Sequence, residues 1–438
     1  MTLDPKKVHE TLGKYIPTNG FDLVLDLKKS KGCQIYDSKT EKYMLDCFSF
    51  FASAPLGCNH PALANSEYIK KIGEIAVNKP TNSDIYTTEM AEFVDTFGRY
   101  AVPDYFKHLF FVSGGALAVE NALKTAFDWK IRKNMEKGKN GKLGTQVIHF
   151  KEAFHGRTGY TLSLTNTFNQ NKIKYFPKFD WPRIINPKIT FPLNEGNLAN
   201  VEETERQAIH EIEKAVEQNP DDIAALIIEP IQGEGGDNHF RKEFFLELRR
   251  LCDEHEMMFI LDEIQTGVGL TGKMWAHEHF DFKPDIVAFG KKTQVCGMMV
   301  GPRVDEIEEN VFKIPSRLNS TWGGNLVDMF RCQKYLEVIK EENLVKNAEV
   351  QGKRLLNGLE ELSEKYEPVT NARGLGLMCA FDMPTSEKRD ELQKKIYQNG
   401  LVVVTCGSNT IRFRPPLIIS SEEMDNAIGI IDKTLKTF

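Results

Sequence analysis

The stretch Met258-Phe-Ile-Leu-Asp262-Glu263, with Asp285-Ile-Val-Ala-Phe-Gly-Lys291 further along, decides how this chain folds. Each is a short, uncharged apolar run, rich in β-branched or aromatic residues, that ends in a polar group. Such runs read as buried parallel strands whose carboxyl ends carry the only polar side chains. An acid and a lysine then share one edge of one sheet. In open α/β sheets that edge is where ligands bind.

Working outward, similar apolar runs occur at 108–112, 147–150, 223–228, 258–261 and 286–289. Between them, apolar residues three and four apart mark helices over 116–130, 200–218, 241–255 and 325–340. This alternation predicts an α/β domain with a mostly parallel sheet covered by helices. Beyond about residue 340 the pattern becomes a long helix, a strand over 374–381, another helix, a strand pair at 401–404 and 411–414, and a final helix. That last helix opens with Ser420-Ser-Glu-Glu423, which has capping-box form. Apparent strands at 23–27 and 34–45 are expected to pack with this C-terminal part. The expected organisation is an N-terminal segment over 1–55, a large α/β domain over 56–335, and a small α+β domain over 336–438 built with both termini.

With 438 residues and 41% hydrophobic content the chain is too long for one compact unit, which agrees with two domains. The net charge of −6 is mild and the charges are interspersed. The exception runs from Arg132-Lys133 to Lys142, where glycines predict a mobile, solvated loop rather than a nucleic-acid patch. The eight cysteines form no C-x-x-C pair, so free thiols in a reducing compartment are expected. No apolar stretch approaches the roughly eighteen residues of a membrane span, and Met1-Thr-Leu-Asp-Pro-Lys-Lys lacks the core of a signal peptide. A cytoplasmic protein with neither membrane nor nucleic-acid partner follows, and the sequon at Asn319-Ser-Thr321 carries no glycosylation meaning.

A lysine amine beside a fixed carboxylate suits a carbonyl cofactor: the amine forms a Schiff base while the acid keeps the ring nitrogen protonated. The cofactor implied is pyridoxal phosphate. Its phosphate needs backbone donors, and Phe111-Val-Ser113-Gly-Gly115-Ala116 runs from a strand into a helix, where an anion binds. A plain strand-to-helix turn is the alternative there. Asp262, preceded by four apolar residues, needs a donor or cation, and a pyridinium or a nearby basic side chain would serve. Gln265 and Thr266 are candidates for the ring hydroxyl or ring face. Lys291 and Lys292 are adjacent, so strand alternation admits only one to the site, and burial beside positive charge should depress its pKa. Cys296 reads as packing.

The segment Glu229-Pro-Ile-Gln-Gly-Glu234-Gly-Gly236 also follows a strand, and its glycines would let the Glu234 carboxylate swing. Arg157 and Arg412 are candidate carboxylate clamps, since arginine grips a carboxylate through two parallel bonds. His155 either stacks on an aromatic ring or faces water. His277-Glu-His279 points its imidazoles apart, against a metal site. The letters of Gly267-Val-Gly269-Leu-Thr-Gly272 match the dinucleotide fingerprint. Asp262 and Glu263, however, stand between strand and glycine and would oppose a pyrophosphate, so this reads as a flexible loop.

Taken together, these segments resemble the class-III, or ω-type, aminotransferases of fold type I. The pieces that carry the resemblance are Ser113-Gly-Gly-Ala116, Phe154-His-Gly-Arg157, Glu229 to Gly236, Leu261 to Gly269, Phe289-Gly-Lys291, Ser320-Thr-Trp-Gly-Gly-Asn325 and Ile411-Arg-Phe-Arg-Pro-Pro416. The resemblance implies Lys291 as Schiff-base lysine and proton shuttle, Asp262 on the ring nitrogen, Gln265 near the ring oxygen and His155 as ring stacker. It implies phosphate binding by Gly115 and Ala116, joined by Thr321 of a second copy in an obligatory homodimer. Substrate contacts are implied for Phe154, Arg157, Glu234, Asn319 and Arg412, with Glu234 pairing Arg412 in one half-reaction and leaving it in the other. The segment after Lys291, Trp322 and the Gly-Glu-Gly-Gly-Asp237 extension most resemble the branch that moves the terminal amino group of L-lysine to 2-oxoglutarate. Leu270 and Gly115-Ala116-Leu117 depart from the commoner class pattern, and ornithine or 4-aminobutyrate remain the alternative donors.

Overall fold

The computed structural model describes residues 3–438. Its central sheet has seven strands in the order His108–Val112, Cys296–Val300, Ile286–Phe289, Met258–Asp262, Ile223–Ile228, Gln146–Phe150 and Arg183–Ile184. Cys296–Val300 runs antiparallel to both neighbours, and the other pairings are parallel. The expected α/β class with a mostly parallel sheet is therefore what the chain adopts. Every residue of Ile223–Ile228, Met258–Asp262 and Ile286–Phe289 is buried, as continuous apolar runs between two helical layers must be. Gly115–Glu136, Glu195–Gln218, Lys242–Glu254 and Leu326–Glu341 are the flanking helices.

The antiparallel strand was not foreseen: Cys296-Gly-Met-Met-Val follows the lysine segment too closely for a crossover, so the chain folds straight back on its neighbour. Arg183–Ile184 is too short to show a period. Helix Gly115–Glu136 extends into the basic stretch expected to be a loop, and turn and bend follow only beyond it.

Toward the carboxyl terminus, the expected single strand over 374–381 is a hairpin of Thr370–Leu375 and Met378–Asp382. These strands join Thr410–Phe413 and Val404–Cys406 in a four-stranded sheet. The segment 401–404 divides: Leu401–Val402 leaves that sheet to pair in parallel with Lys42–Asp46 of the N-terminal hairpin. The strand expected at 23–27 is reduced to a single bridge between Leu25 and Asp37. Ser420 caps the last helix, Ser421–Leu435, with the reciprocal bonds of a capping box. The glycine-bearing segment after Asp262 is not flexible but packed: Val268 and Leu270 are buried. Among the described residues, no helix is long and apolar enough to cross a membrane.

Candidate active site

The parallel strands deliver their carboxyl ends to one side of the sheet, and a cavity of about 500 Å³ opens there. Gly115 and Ala116 reach it after His108–Val112, Phe154 and His155 after Gln146–Phe150, Glu229 after Ile223–Ile228, Asp262 and Gln265 at Met258–Asp262, and Lys291 after Ile286–Phe289. Register brings the acid and lysine strands together, with Ala288 opposite Asp262. A sheet whose strands share one direction collects short-range polar residues from distant parts of the chain.

Asp262 is buried and oriented by two donors. Ile264 N–H reaches Oδ1 at 3.1 Å, and His155 Nδ1 lies 2.8 Å from Oδ2. The donor that the sequence requires for Asp262 is thus the imidazole, at a residue expected to stack on the cofactor. The other ring nitrogen, Nε2, is buried without a partner. Each carboxylate oxygen keeps a free lone pair, so a protonated ring nitrogen can still be accepted.

Strand alternation does not settle the two lysines, because the strand ends before them. Lys291–Thr293 is a tight turn with Lys291 at φ +52°, and the two side chains leave in different directions. Lys291 lines the cavity. Lys292 turns inward, where its Nζ donates to Gln265 O at 2.6 Å and Ala52 O at 3.4 Å. Burial lowers the Lys291 amine to about 8, helped by the Arg412 charge and opposed by Asp262 and Glu229. Lys292 is likewise pushed down, by burial first and then by the Lys291 charge.

Gly114 precedes the long helix at φ +109°, leaving the first helical N–H groups of Gly115 and Ala116 at the cavity wall. Beside them, a Cβ on Gly156 would lie 2.6 Å from the Ala116 Cβ, so only glycine lets the two strand ends close around an anion. These donors, the unpartnered imidazole nitrogen, the carboxylate and the depressed amine fit pyridoxal phosphate.

Glu229 and Cys296 also line the cavity, and sequence reasoning gave the first no role and the second only packing. Burial pushes the Glu229 carboxyl up, against the pull of His155, while Phe154 N–H and Gly233 N–H hold its oxygens at 2.9 and 3.1 Å. Its place directly after a buried strand was the available signal. Burial also raises the Cys296 thiol, which disfavours a nucleophile. Thr266, a ring-contact candidate, instead donates to Glu263, whose carboxylate also takes the Ala276 and His277 backbone N–H groups and pairs with the His277 ring.

Arg412 is buried behind Gln265, donating to Gln265 Oε1 at 3.2 Å and Gly233 O at 2.7 Å. Glu234 borders the cavity but is turned away from Arg412. Arg157 is not brought to this cavity: it is exposed and lines an adjoining cleft, because the chain turns at Gly156. Asn319 and Thr321 lie exposed outside it, with Thr321 O accepting from Ser83 Oγ at 3.4 Å.

This sheet, this edge and this set of residues define a pyridoxal-phosphate enzyme of fold type I. A family model for class-III aminotransferases matches residues 15–435, and the chain belongs to that family. Its relatives include the L-lysine-epsilon aminotransferase of Mycobacterium tuberculosis, 52% identical over 98% of this chain and 96% of that one. The L-lysine-epsilon aminotransferase of Amycolatopsis lactamdurans is 47% identical over 99% and 96%. The solved lysine aminotransferase from M. tuberculosis in the internal aldimine form superposes with a TM-score of 0.97 at 51% identity, covering 99% of this chain and all of that one.

Proposed function

We propose that this chain moves the terminal amino group of L-lysine to 2-oxoglutarate, giving 2-aminoadipate 6-semialdehyde and L-glutamate. The observation that carries the reading is the convergence of Lys291, Asp262 and the helix start at Gly115 on one cavity, in a chain similar throughout its length to proteins named for that donor. Pyridoxal phosphate, when bound, supplies an aldehyde for the amine and a ring that withdraws electrons from the reacting carbon.

The chain's own residues do the rest. Lys291 Nζ, its basicity lowered by burial, would take up and give back the proton of the carbon bearing the donor nitrogen. Asp262, aimed by His155 and the Ile264 N–H, would hold a proton on the ring nitrogen of the bound cofactor. The Gly115 and Ala116 N–H groups anchor the phosphate. Arg412 receives a carboxylate when its neighbours yield, and Arg157 and Phe154 line the path by which the far end of the substrate extends. Burial of these groups strengthens each polar contact by lowering the local dielectric.

The active form is proposed to be a homodimer, with Asn319 and Thr321, exposed in a single copy, serving a second copy's site. The proposed organisation keeps boundaries near residues 55 and 335, supported by the separate sheets on either side, and the proposed location is the cytoplasm. The test is a panel of amino donors mixed with purified protein in single turnover, read by loss of absorbance near 420 nm, with borohydride trapping and peptide mapping. L-lysine is expected to react fastest, with the adduct on Lys291. Faster reaction with ornithine or 4-aminobutyrate would move the donor, and an adduct elsewhere would sink the whole reading.

A further inference from the structure

Glu234 stands in the wall between two spaces, the site cavity and an outer cleft lined by Phe168, Asn169, Lys172, Arg389 and Thr405. Its carboxylate faces outward. Lys172 Nζ lies 2.5 Å from Oε1, and Thr167 Oγ1 donates to the same oxygen at 2.7 Å. The inward alternative is Arg412. Arg412 already bonds the carbonyl of Gly233, the residue before Glu234, and its Nε is buried without a partner. Glu234 Oε2 is likewise buried without a partner. Gly407 N–H holds Glu234 O at 2.8 Å, so the backbone beneath is tethered and an exchange of one cation for the other falls to the side chain.

We propose that Lys172, with Thr167, is the receptor that holds the Glu234 carboxylate away from Arg412, and thereby sets how well the site accepts a dicarboxylate. The inference rests on the proposed transamination, in which a mono-cationic donor end and a dicarboxylate share one site. Arg412 binds one carboxylate at a time. While Glu234 rests on Lys172, no carboxylate competes for the Arg412 guanidinium, which a ligand reaches by displacing the neutral Gln265 and Gly233 oxygens; once Lys172 is lost, Glu234 competes for Arg412 from one residue away. Lys172 also lies 5.9 Å from the Phe154 ring centroid and shares with Arg157 the lining of the adjoining cleft, so the cation stands on the wall of the proposed substrate path. The neighbouring charge in the outer cleft, Arg389, is occupied by Asp390 and the Gly407 and Ser408 carbonyls, leaving Lys172 as the cation that meets Glu234.

The test is calorimetric titration of holoenzyme with glutarate, a dicarboxylate that lacks a reacting carbonyl, in wild type, K172M, E234Q and the double variant. If the open fraction of Arg412 falls to about a tenth without Lys172, K172M binds glutarate about tenfold more weakly, since apparent affinity scales with the competent fraction. The double variant should return to within about twofold of E234Q, and K172R should bind as wild type. T167V supplies a second, milder perturbation in the same direction. Steady-state kinetics of K172M should show a raised KM for the keto acid and no rise in that for the amino donor.

Undiminished glutarate binding in K172M would overturn the proposal. So would a loss that persists in the E234Q background, since Lys172 would then be attracting the ligand or supporting the fold directly. Wild-type protein that does not bind glutarate would also overturn it. Coupling between Lys172 and Glu234 with no turnover of lysine would remove the donor assignment alone; lysine turnover without coupling would remove this inference alone.

Discussion

The acidity of Lys291 is the most exposed consequence of the site's electrostatics. A free lysine near 10.5 is about one part in a thousand neutral at pH 7.5, whereas one held at about 8 is about a quarter neutral, a gain of some two hundredfold in reactive amine. The perturbation is pH itself, applied to cofactor-free protein, and the assay is reductive methylation with formaldehyde followed by mass spectrometry of the Lys291 peptide. Labelling should rise through a midpoint at about 8, well below that of a short lysine peptide in the same tube. Two variants give opposite signs. Arg412→Ala removes a like charge and should move the midpoint up, while Asp262→Asn removes an attractive charge and should move it down. The sign carries over to stability. The folded state binds this proton more weakly than the unfolded chain, so between about pH 8 and 10.5 unfolding takes up a proton and the contribution to stability grows as pH rises. A Lys291 midpoint within half a unit of the peptide's would refute the account of burial and charge at this cavity.

Two further perturbations test the frame around the amine. Gly156→Ala places a Cβ 2.6 Å from the Ala116 Cβ at a backbone φ of +123°, and should cost about 1–3 kcal/mol, seen as a lower Tm together with weaker retention of pyridoxal phosphate on equilibrium dialysis. Asp237 pairs with Arg414 where both are fully buried, and Arg414 in turn donates to Gln265 Oε1 at 3.2 Å. Asp237→Ala should therefore destabilise by about 3–5 kcal/mol in denaturant titration, because a guanidinium is left in the interior without its counter-ion. A loss below about 1 kcal/mol would mean that water or a rearranged carbonyl takes over.

The residues that sequence reasoning placed well are those tied to a strand end. Lys291, Asp262 and the Gly115-Ala116 turn stand within four residues of an apolar run, and a parallel sheet carries every such end to the same edge. Period and position alone locate them. The readings that changed share a different property. His155 was given two roles, and the bond to Asp262 that occupies its Nδ1 joins strands separated in the sheet by Ile223–Ile228. The loop after Asp262 looked flexible from its glycines, yet it is packed because Trp275 fills the space that a Cβ on Gly267 would claim. Cys296–Val300 was missed as a strand since nothing in its letters announces a fold-back.

From its letters alone the chain establishes a parallel sheet, the edge at which its chemistry gathers, and the identities of amine and acid, because a buried strand tolerates polar groups only where it ends. Which partner each side chain takes was decided in three dimensions. Lys291 was separated from Lys292 by a single backbone turn, and Glu234 was given to Lys172, 62 positions earlier in the chain, rather than to Arg412. Such choices depend on distances of a few ångströms between segments remote in sequence, and neither period nor propensity carries that information.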